Sequence, residues 1–446
     1  MARPAEDKPA RVTHNNGSQQ AGNTLDRWSW VEPTVWTKRM LTALETGNVK
    51  GGVWFRLIDK VWSLRNLSSA FAKVKANAGA AGVDHQTIEM FDRDYETNLQ
   101  KLHEALRRRR YQPRPVRRVW IPKSGRAKGE KRPLGIPTVR DRVVQAALRH
   151  VIEPIFERDF AEHSYGFRPG RGCKDALRRV DALLKAGYTH VVDADLKSYF
   201  DTIPHERLMQ MVRDKIADGR VLELIESYLK QQVMDGLQQW TPESGSPQGA
   251  VLSPLLSNIY LNPLDQLMAA EGIQMVRYAD DFVLLCQSEL SARKALERVK
   301  RWTDENGLTL HPDKTRIVNA NEQGFDFLGY RFDRGRRWPR DKSLHKFKDT
   351  IRAKTKRTNG SSLQWIITNV NGTTKGWFEY FKHSHRSTFR PLDGWIRMRL
   401  RSVLRRRRGG RGHGRGRDHQ RWPNAFFTAH GLFDMATAHK AVRQSV

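Results

Sequence analysis

Two short apolar runs in residues 273–286 flank the sequence Tyr278-Ala279-Asp280-Asp281. Runs of this length that are rich in Val, Ile and aromatic residues are typical of β-strands. Adjacent acids inside such a run are costly to bury, because a partly buried carboxylate needs a cation, a hydrogen-bond donor or a metal ion. The pattern therefore predicts a β-hairpin whose tip presents two carboxylates to divalent ions.

Apolar residues at helical spacing, or in short strand-like runs, recur on both sides of this hairpin. Between residues 123 and 332 the two patterns are mixed, which predicts an α+β fold with a sheet covered on one face by helices. After residue 334 the pattern is helical. The predicted helices cover residues 54–75, 87–110, 140–156, 253–268, 291–306, 342–357, 363–370, 374–383 and 395–407. The predicted strands cover residues 119–123, 188–195, 273–286, 308–310 with 315–318, and 325–332.

Positive charge dominates the composition. The 446 residues include 79 Lys and Arg against 48 Asp and Glu, a formal net charge of +31. Such an excess destabilises a compact fold through self-repulsion unless a polyanion neutralises it. Because the basic residues are spread over the whole length, we expect a long nucleic-acid surface rather than a membrane patch. A solvated surface with a basic bias is the alternative.

The cysteines and the first residues bear on the compartment. The two cysteines, Cys173 and Cys286, are far apart in sequence, so we expect neither a zinc knuckle nor a disulfide framework. This suits a reducing compartment. No apolar run approaches the length of a membrane span, and residues 1–27 lack the apolar core of a signal peptide. We therefore expect a cytoplasmic protein with no membrane contact, most simply from a bacterium.

Three basic stretches are candidates for phosphate contact. Residues 107–110 are four arginines, which either contact phosphate or form the solvated end of a helix favoured by the helix dipole. Residues 114–137 predict a basic β-hairpin with Lys123 and Arg132 near its base, suited to holding a triphosphate. The Gly- and Arg-rich loop of residues 164–172 fits either a backbone that approaches phosphates or an ordinary turn.

The acids predict a two-metal site. Two ions about 4 Å apart can activate a 3′ hydroxyl and stabilise a leaving pyrophosphate. Mg²⁺ takes hard oxygen ligands, usually one or two carboxylates together with substrate phosphates. Asp195, at the end of a predicted strand, and Asp280 meet this need, and Asp281 completes the acidic cluster. Asp193 and Asp201 remain alternatives. Two Mg²⁺ ions are the predicted cofactors, with Mn²⁺ as a substitute.

Seven sequence blocks occur in one order along residues 55–335 and carry a family resemblance. They are residues 132–138 with 141–145, 165–170, 195–201, Pro247-Gln248-Gly249 with 252–261, Tyr278-Ala279-Asp280-Asp281, 307–310 with Lys314-Thr315, and Phe327-Leu328-Gly329-Tyr330. In these blocks the sequence resembles reverse transcriptases encoded by group II introns. Residues 376–381 resemble the maturase segment of that family, and residues 422–432 resemble the terminal piece of its bacterial class C subgroup.

The resemblance implies an α+β right-hand polymerase, with fingers, a palm containing an antiparallel sheet, and an α-helical thumb that doubles as a maturase domain. The implied division is 1–53 for a flexible leader and N-terminal extension, 54–185 for the fingers and 186–335 for the palm. Residues 336–404 form the thumb or maturase domain X, and residues 405–446 a basic segment that binds nucleic acid. Because no paired cysteines or HNH-type endonuclease follow, we expect no DNA cleavage by the chain itself.

The resemblance also implies roles for individual residues. Asp195, Asp280 and Asp281 are the expected catalytic metal ligands, and the Leu196 carbonyl is a further one. The residues expected at the incoming nucleotide are Lys123 and Arg132 on the triphosphate, Tyr199 beneath the sugar as a gate against ribonucleotides, Phe200 and Gln248. The residues expected to contact nucleic acid are Arg168, Arg171, Lys314, Lys346, Lys348, Arg352, Lys354, Lys356, Arg405, Arg406, Arg407 and Arg408.

The implied function is RNA-directed DNA synthesis combined with binding of the group II intron RNA, which aids splicing and target-primed mobility. The expected partners are the intron RNA, an RNA template with a DNA primer, target DNA and deoxynucleoside triphosphates, in a monomer or a homodimer. The alternatives are a stand-alone reverse transcriptase of a defence or diversity-generating system, and an RNA-binding splicing factor with an idle polymerase site.

Overall fold

The structure is a computed structural model that describes residues 27–122, 131–414 and 416–444. The predicted flexible leader of residues 1–26 and the predicted phosphate ligand Lys123 lie outside these ranges. Within them, no helix combines the length and the apolar character needed to cross a bilayer.

A four-stranded antiparallel sheet forms the centre of the fold. Its strands are β3 (His190–Asp195), β6 (Gln274–Tyr278), β7 (Asp281–Cys286) and β8 (Arg316–Asn319), in the order β6-β7-β3-β8. Strands β6 and β7 form the predicted hairpin, with only Ala279 and Asp280 between the paired residues Tyr278 and Asp281. The hairpin is therefore as tight as the sequence pattern indicated.

Both faces of this sheet are covered. Successive side chains of a strand point to opposite faces, so Val192 packs with helices α11 (Ser253–Ala270) and α12 (Glu289–Glu305), while Val191 packs on the other face with α7 (Cys173–Lys185). A second, three-stranded sheet adds to that other face. Its strands are β9 (Phe325–Phe327), β10 (Tyr330–Asp333) and β11 (Arg336–Pro339). The prediction of cover on one face only was wrong.

The region before the central sheet is mainly helical. Its helices are α1 (Lys38–Thr46), α2 (Ile58–Trp62), α3 (Leu64–Asn77), α4 (Ile88–Arg93), α5 (Tyr95–Arg107) and α6 (Val139–Glu157). The single helix predicted over residues 87–110 is two helices, because the chain leaves helical geometry at Asp94, where φ is −108° and ψ is 35°. Helix α6 is buried around most of its circumference and begins at Thr138, whose hydroxyl accepts a hydrogen bond from the Asp141 amide.

Two segments of this region make long-range contacts, one with helix α6 and one with residues 215–218. The Trp36 indole Nε1 donates to the His150 carbonyl on α6 at 2.9 Å, so the N-terminal extension packs against the helical core. Trp54 exchanges backbone hydrogen bonds of 2.8 Å with the segment Lys215–Ala217, and the Asp218 carboxylate accepts from the Leu57 amide at 2.6 Å. The extension is part of the folded core from residue 28 onward.

A smaller sheet and three helices complete the middle of the chain. The sheet consists of β1 (Val116–Pro122), β2 (Lys131–Ile136), β4 (Val233–Asp235) and β5 (Gln238–Trp240), in the order β2-β1-β4-β5. Strands β1 and β2 are the predicted basic hairpin. The helices are α8 (Tyr199–Thr202), α9 (His205–Arg213) and α10 (Gly219–Leu229).

The C-terminal region is helical, with a hydrophobic cluster of its own. Its helices are α13 (Asp341–Lys354), α14 (Leu363–Phe381), α15 (Phe389–Arg407), α16 (Arg417–Arg421), α17 (Asn424–Ala429) and α18 (Met435–Gln444). The two helices predicted over residues 363–370 and 374–383 are one helix, α14, since the backbone stays helical through Gly372. The fold class, α+β with an antiparallel sheet followed by a helical region, is confirmed. The predicted domain boundaries stay predictions.

Candidate active site

Three acids from two distant parts of the sequence meet at one edge of the central sheet. Asp195 is the last residue of β3, and Asp281, the first residue of β7, is its direct partner across the sheet. Asp280 lies in the adjoining two-residue turn. Because paired residues on neighbouring antiparallel strands lie about 5 Å apart, the sheet register itself brings the acids together.

The acids influence one another electrostatically. Burial raises the pKa of Asp281 to about 7, with further contributions from the charges of Asp193 and Asp280. Burial also raises the pKa of Asp280, and the charge of Asp195 adds to that rise. A cluster of partly buried carboxylates that disfavour one another's ionised form is suited to a cation.

Two basic side chains already contact this cluster. The Lys314 ammonium forms an ion pair with the Asp195 carboxylate, and Arg316 pairs with Asp193 at 3.3 Å. Lys314 was expected at nucleic acid, and in the structure its amine lies on an acid of the predicted metal site. Asp193 lies two residues before Asp195 on the same strand and pairs with Val283, one step further from Asp280 and Asp281, so it is a weaker candidate ligand than Asp195.

The donors fit a divalent ion in their chemistry. Among the described residues no three His, Cys, Asp or Glu side chains converge as a ready-made cage. Such a cage is not required, because Mg²⁺ usually takes one or two carboxylates and completes its shell with waters and substrate phosphates. Asp195, Asp280 and Asp281 are the residues that would hold the ions. The backbone of Leu196 forms a bridge with Leu310 directly beside them.

The loop of residues 246–249 links helix α8, which follows β3 in the chain, to the basic hairpin. The Gly135 amide on β2 donates to the Gln248 carbonyl at 2.6 Å, and the Ser246 amide donates to the Phe200 carbonyl at 2.6 Å. At Gly249 a Cβ atom would lie 2.5 Å from the Gly135 carbonyl oxygen, so the close approach requires glycine there. Gln248, Phe200 and the hairpin that carries exposed Arg132 are thus connected through backbone contacts.

Tyr199 does not lie where the resemblance implied. Its side chain is buried, with 2% of its surface exposed, and its hydroxyl donates to the Ser257 carbonyl at 2.8 Å. A ring packed in this way cannot lie beneath a nucleotide sugar, so the prediction for Tyr199 is corrected. Phe200, the next residue, is half-buried and packs edge-on against the Tyr199 ring.

Arg168 is a structural residue. Its guanidinium, 2% exposed, binds the Glu157 carboxylate through Nη2 at 2.7 Å and also donates to the Ala161 and Ser164 carbonyls. Because these groups occupy the guanidinium inside the protein, the prediction that Arg168 contacts nucleic acid was wrong. Arg171, three residues later, is half-exposed and donates to the Glu162 carbonyl.

The basic residues of the C-terminal region divide into two groups. Arg405 pairs with Asp418 at 2.7 Å, Arg407 donates to the Ser361 carbonyl, and Lys354 donates to the Asn369 carbonyl at 2.8 Å. These three residues connect helices and loops of the protein to one another. The predicted contacts that are exposed in the structure, apart from Arg407, are Lys346, Arg352, Lys356, Arg406 and Arg408, while Lys348 is half-buried.

Three residues that no sequence pattern indicated hold the turn carrying Asp280. They are Arg277, Asp265 and Asn258, all buried. Arg277 was detectable in principle, because it is a charged residue inside the apolar run of β6. Its two partners lie on helix α11 and carry no local signal.

Two known protein families match the sequence. The family described as "Reverse transcriptase (RNA-dependent DNA polymerase)" matches residues 121–332, which include the three acids. The family described as "Group II intron, maturase-specific domain" matches residues 344–422, which cover most of helix α13 and all of α14 to α16.

Individual relatives agree with these matches. Protein YkfC of Escherichia coli (strain K12) is 39% identical over 299 residues, covering 58% of this chain and 77% of YkfC. The group II intron-encoded protein LtrA of Lactococcus lactis subsp. cremoris is 38% identical over 201 residues, covering 45% of this chain but only 33% of LtrA. A solved structure titled "Partial Cas6-RT-Cas1--Cas2 complex" is 25% identical over 56% of this chain and 41% of its own, with a TM-score of 0.36.

The sheet edge with its three acids and the first family match place the chain among the reverse transcriptases. The maturase-specific match and the relatives narrow this further. The chain belongs to the reverse transcriptase and maturase proteins of group II introns, and the resemblance found in the sequence is confirmed.

Proposed function

We propose that the protein is an RNA-directed DNA polymerase that also binds its group II intron RNA as a maturase, aiding splicing and target-primed mobility. The observation that carries the proposal is the pairing of Asp195 with Asp281 next to Asp280 at one sheet edge. The maturase-specific match in the same chain supports the second activity.

Each part of the candidate site has a task in this proposal. Divalent ions bound there would activate the primer 3′ hydroxyl and stabilise the departing pyrophosphate. Asp195, Asp280 and Asp281 would hold the ions, and we assign Mg²⁺ as the native metal with Mn²⁺ as a substitute. The loop of Gln248 and the half-buried Phe200 form the nucleotide side, and Arg132 attracts the triphosphate.

The remaining charge is assigned to long nucleic acids. An RNA template with a DNA primer, the intron RNA and target DNA are the proposed partners, and the exposed cations of the C-terminal helices are their proposed contacts. Relatives of this kind occur in Escherichia coli and Lactococcus lactis, and we propose a bacterial cytoplasm as the location.

Primer extension on an RNA template with Mg²⁺ tests the polymerase. In the double variant Asp280→Ala/Asp281→Ala, cDNA synthesis should fall by roughly 10³-fold or more, because the metal ligands are lost. RNA binding should stay within about twofold, since these acids are not phosphate contacts. Asp214→Ala, which removes an exposed acid after α9, is the matched control and should keep wild-type synthesis. Persistent synthesis in the purified double variant would contradict the metal assignment.

The maturase activity has a separate test. The transcript that flanks the reading frame is incubated with the wild-type protein and with the double variant, and spliced product is measured. Both proteins should accelerate splicing equally, because intron binding is assigned to the C-terminal region and not to the acids. No acceleration by either protein would remove the maturase half of the proposal and favour a stand-alone reverse transcriptase.

A further inference from the structure

The turn that presents Asp280 is held in an unfavourable backbone conformation. Ala279 has a φ of 61°, in the left-handed region that residues with a Cβ rarely adopt. Such a conformation persists only where the surrounding structure over-determines it. The contacts made by the Ala279 backbone therefore show what fixes the direction of the next residue, Asp280.

The contact from within the protein comes from Arg277. Its Nη1 donates to the Ala279 carbonyl at 2.8 Å and to the Asn258 side-chain oxygen at 2.9 Å. Its Nε and Nη2 bind the two Asp265 oxygens at 2.8 and 2.5 Å. The planar guanidinium is thereby fixed on Asp265, and its third nitrogen, Nη1, donates to the carbonyl of the peptide that joins Ala279 to Asp280.

The partners of Arg277 are rigidly placed. Asn258 and Asp265 lie seven residues apart on α11, which is two helical turns, so they share one face of the helix. The Arg277 side chain is 0% exposed and that of Asp265 is 5% exposed. A buried ion pair is weak evidence for stability, because desolvation offsets its attraction. The specific contribution of this pair is to hold the Arg277 Nη1 donor in a fixed position at the Ala279 carbonyl.

The second contact comes from the loop that precedes α7. Its residues run alongside β6, with the Tyr165 amide donating to the Arg277 carbonyl at 2.8 Å. The Gly166 carbonyl accepts from the Asn258 side chain at 2.8 Å, which joins this loop to the same network. A Cβ at Gly166 would lie 2.2 Å from the Ala279 nitrogen, so the loop backbone rests directly on the turn.

We propose that Arg277, fixed by Asp265 and Asn258, is a positioning residue that holds the Ala279 carbonyl and so directs the Asp280 carboxylate toward the metal ions, with Gly166 packed against the backbone of the same turn. The inference rests on the proposed polymerase function and deepens it, because it names the residues that preorganise the metal site. Arg277 itself touches neither substrate nor metal.

The test uses two changes that act on the turn in different ways. Arg277→Lys keeps the positive charge, but one ammonium with three N–H donors cannot reproduce the four hydrogen bonds that the planar guanidinium makes to Asp265, Asn258 and Ala279. Gly166→Ala removes no charge and pushes on the Ala279 backbone. Arg401→Lys is the matched control, because Arg401 is also buried and donates to the Trp422 carbonyl, within the C-terminal region.

Two readouts separate positioning from simple destabilisation. Mn²⁺ binding to the complex with a chain-terminated primer and RNA template is followed by electron paramagnetic resonance, with Asp280→Ala/Asp281→Ala as the baseline. Both turn variants should bind Mn²⁺ roughly 10- to 100-fold more weakly. In primer extension, kcat should fall by roughly 10- to 100-fold, while KM for the nucleotide changes by no more than about twofold. Arg401→Lys should lower the melting temperature and leave both readouts unchanged.

The outcomes are distinguishable. Wild-type Mn²⁺ affinity and kcat in Arg277→Lys would overturn the proposal, and so would losses in all three variants that simply follow their melting temperatures. If Arg277→Lys does not fold, Gly166→Ala decides alone, and wild-type Mn²⁺ affinity in it overturns the proposal. If the wild-type protein makes no cDNA, the proposed polymerase function fails, while the Mn²⁺ arm still supports or overturns the role of Arg277.

Discussion

The arginines around the turn that carries Asp280 and the cations of helix α13 have the same formal charge but different environments. Arg277 and Arg168 have side chains that are 0% and 2% exposed, and each is clamped to a carboxylate inside the protein. On α13 and just after it, Lys346, Arg352 and Lys356 are exposed. A basic residue therefore has a structural role, or is available to a polyanion, according to whether the fold surrounds it with internal hydrogen-bond acceptors.

The sharpest test of this comparison is Arg168→Ala against Arg171→Ala. Losing the Arg168 guanidinium leaves the Glu157 carboxylate buried without its partner, which should cost about 3–5 kcal/mol of the free energy of unfolding. The half-exposed Arg171 should cost less than about 1 kcal/mol. Denaturant unfolding of both variants measures the difference. Equal losses would show that burial does not separate the two arginines.

A second test concerns a base that the interior keeps uncharged. Burial lowers the pKa of His150 to about 4, and the charge of Lys73 adds to this effect. The His150 ring nitrogen Nδ1 lies 2.8 Å from the Asn66 side-chain oxygen. The Asn66 amide nitrogen donates to two backbone carbonyls, so its oxygen faces His150 and accepts a hydrogen bond from Nδ1–H.

The unfolded chain binds a proton at His150 near pH 6.5, and the folded protein binds it only near pH 4. The contribution of neutral His150 to the free energy of unfolding is therefore complete above pH 6.5 and is lost as the pH falls toward 4. The loss should reach about 2–3 kcal/mol at pH 4. Melting temperatures between pH 4 and pH 7.5 should fall less steeply in His150→Gln than in the wild type. Replacement of the exposed His345 by Gln is the control, and an identical slope in all three proteins would contradict the assignment.

The smallest expected effect concerns RNA binding by the exposed cations of α13 and the residues just after it. Replacing Lys346, Arg352 and Lys356 together by Ala should reduce the slope of log K against log salt for RNA by about 2, at roughly 0.7 per single-strand phosphate contact. Lys354→Ala, which removes a donor to the Asn369 carbonyl, should leave the slope unchanged and lower the melting temperature. An unchanged slope in the triple variant would show that this surface faces away from RNA.

The acids were predictable because their signal is local. A pair of carboxylates inside an apolar run indicates both the hairpin and the need for cations. The strand that ends at Asp195 is likewise an apolar run that ends in an acid. The fold class followed from the mixture of strand and helix patterns. The role of Arg168 was missed because its partner Glu157 lies 11 residues away at the end of a helix, and only the tertiary fold brings them together.

Other misses have the same physical origin. Tyr199 was placed at the nucleotide by its sequence block, but its burial is decided by α11, 58 residues later. The break at Asp94 depends on one residue's backbone angles, which helix periodicity does not encode. It stays a prediction that Gln248, Arg132 and the exposed cations contact their ligands. The sequence and the fold show which residues surround these side chains, and the ligands themselves are absent from both.

The hydrogen bond from the Leu57 amide to Asp218 spans 161 residues of sequence. At a synthesis rate of about 5–20 residues per second, roughly 10 to 30 seconds pass between the emergence of the two partners. Long-range contacts of this kind slow folding, because the loop between them must be closed first. During that interval the Trp54 segment lacks its partner, so on the ribosome this part of the core can form only after residues 215–218 have emerged.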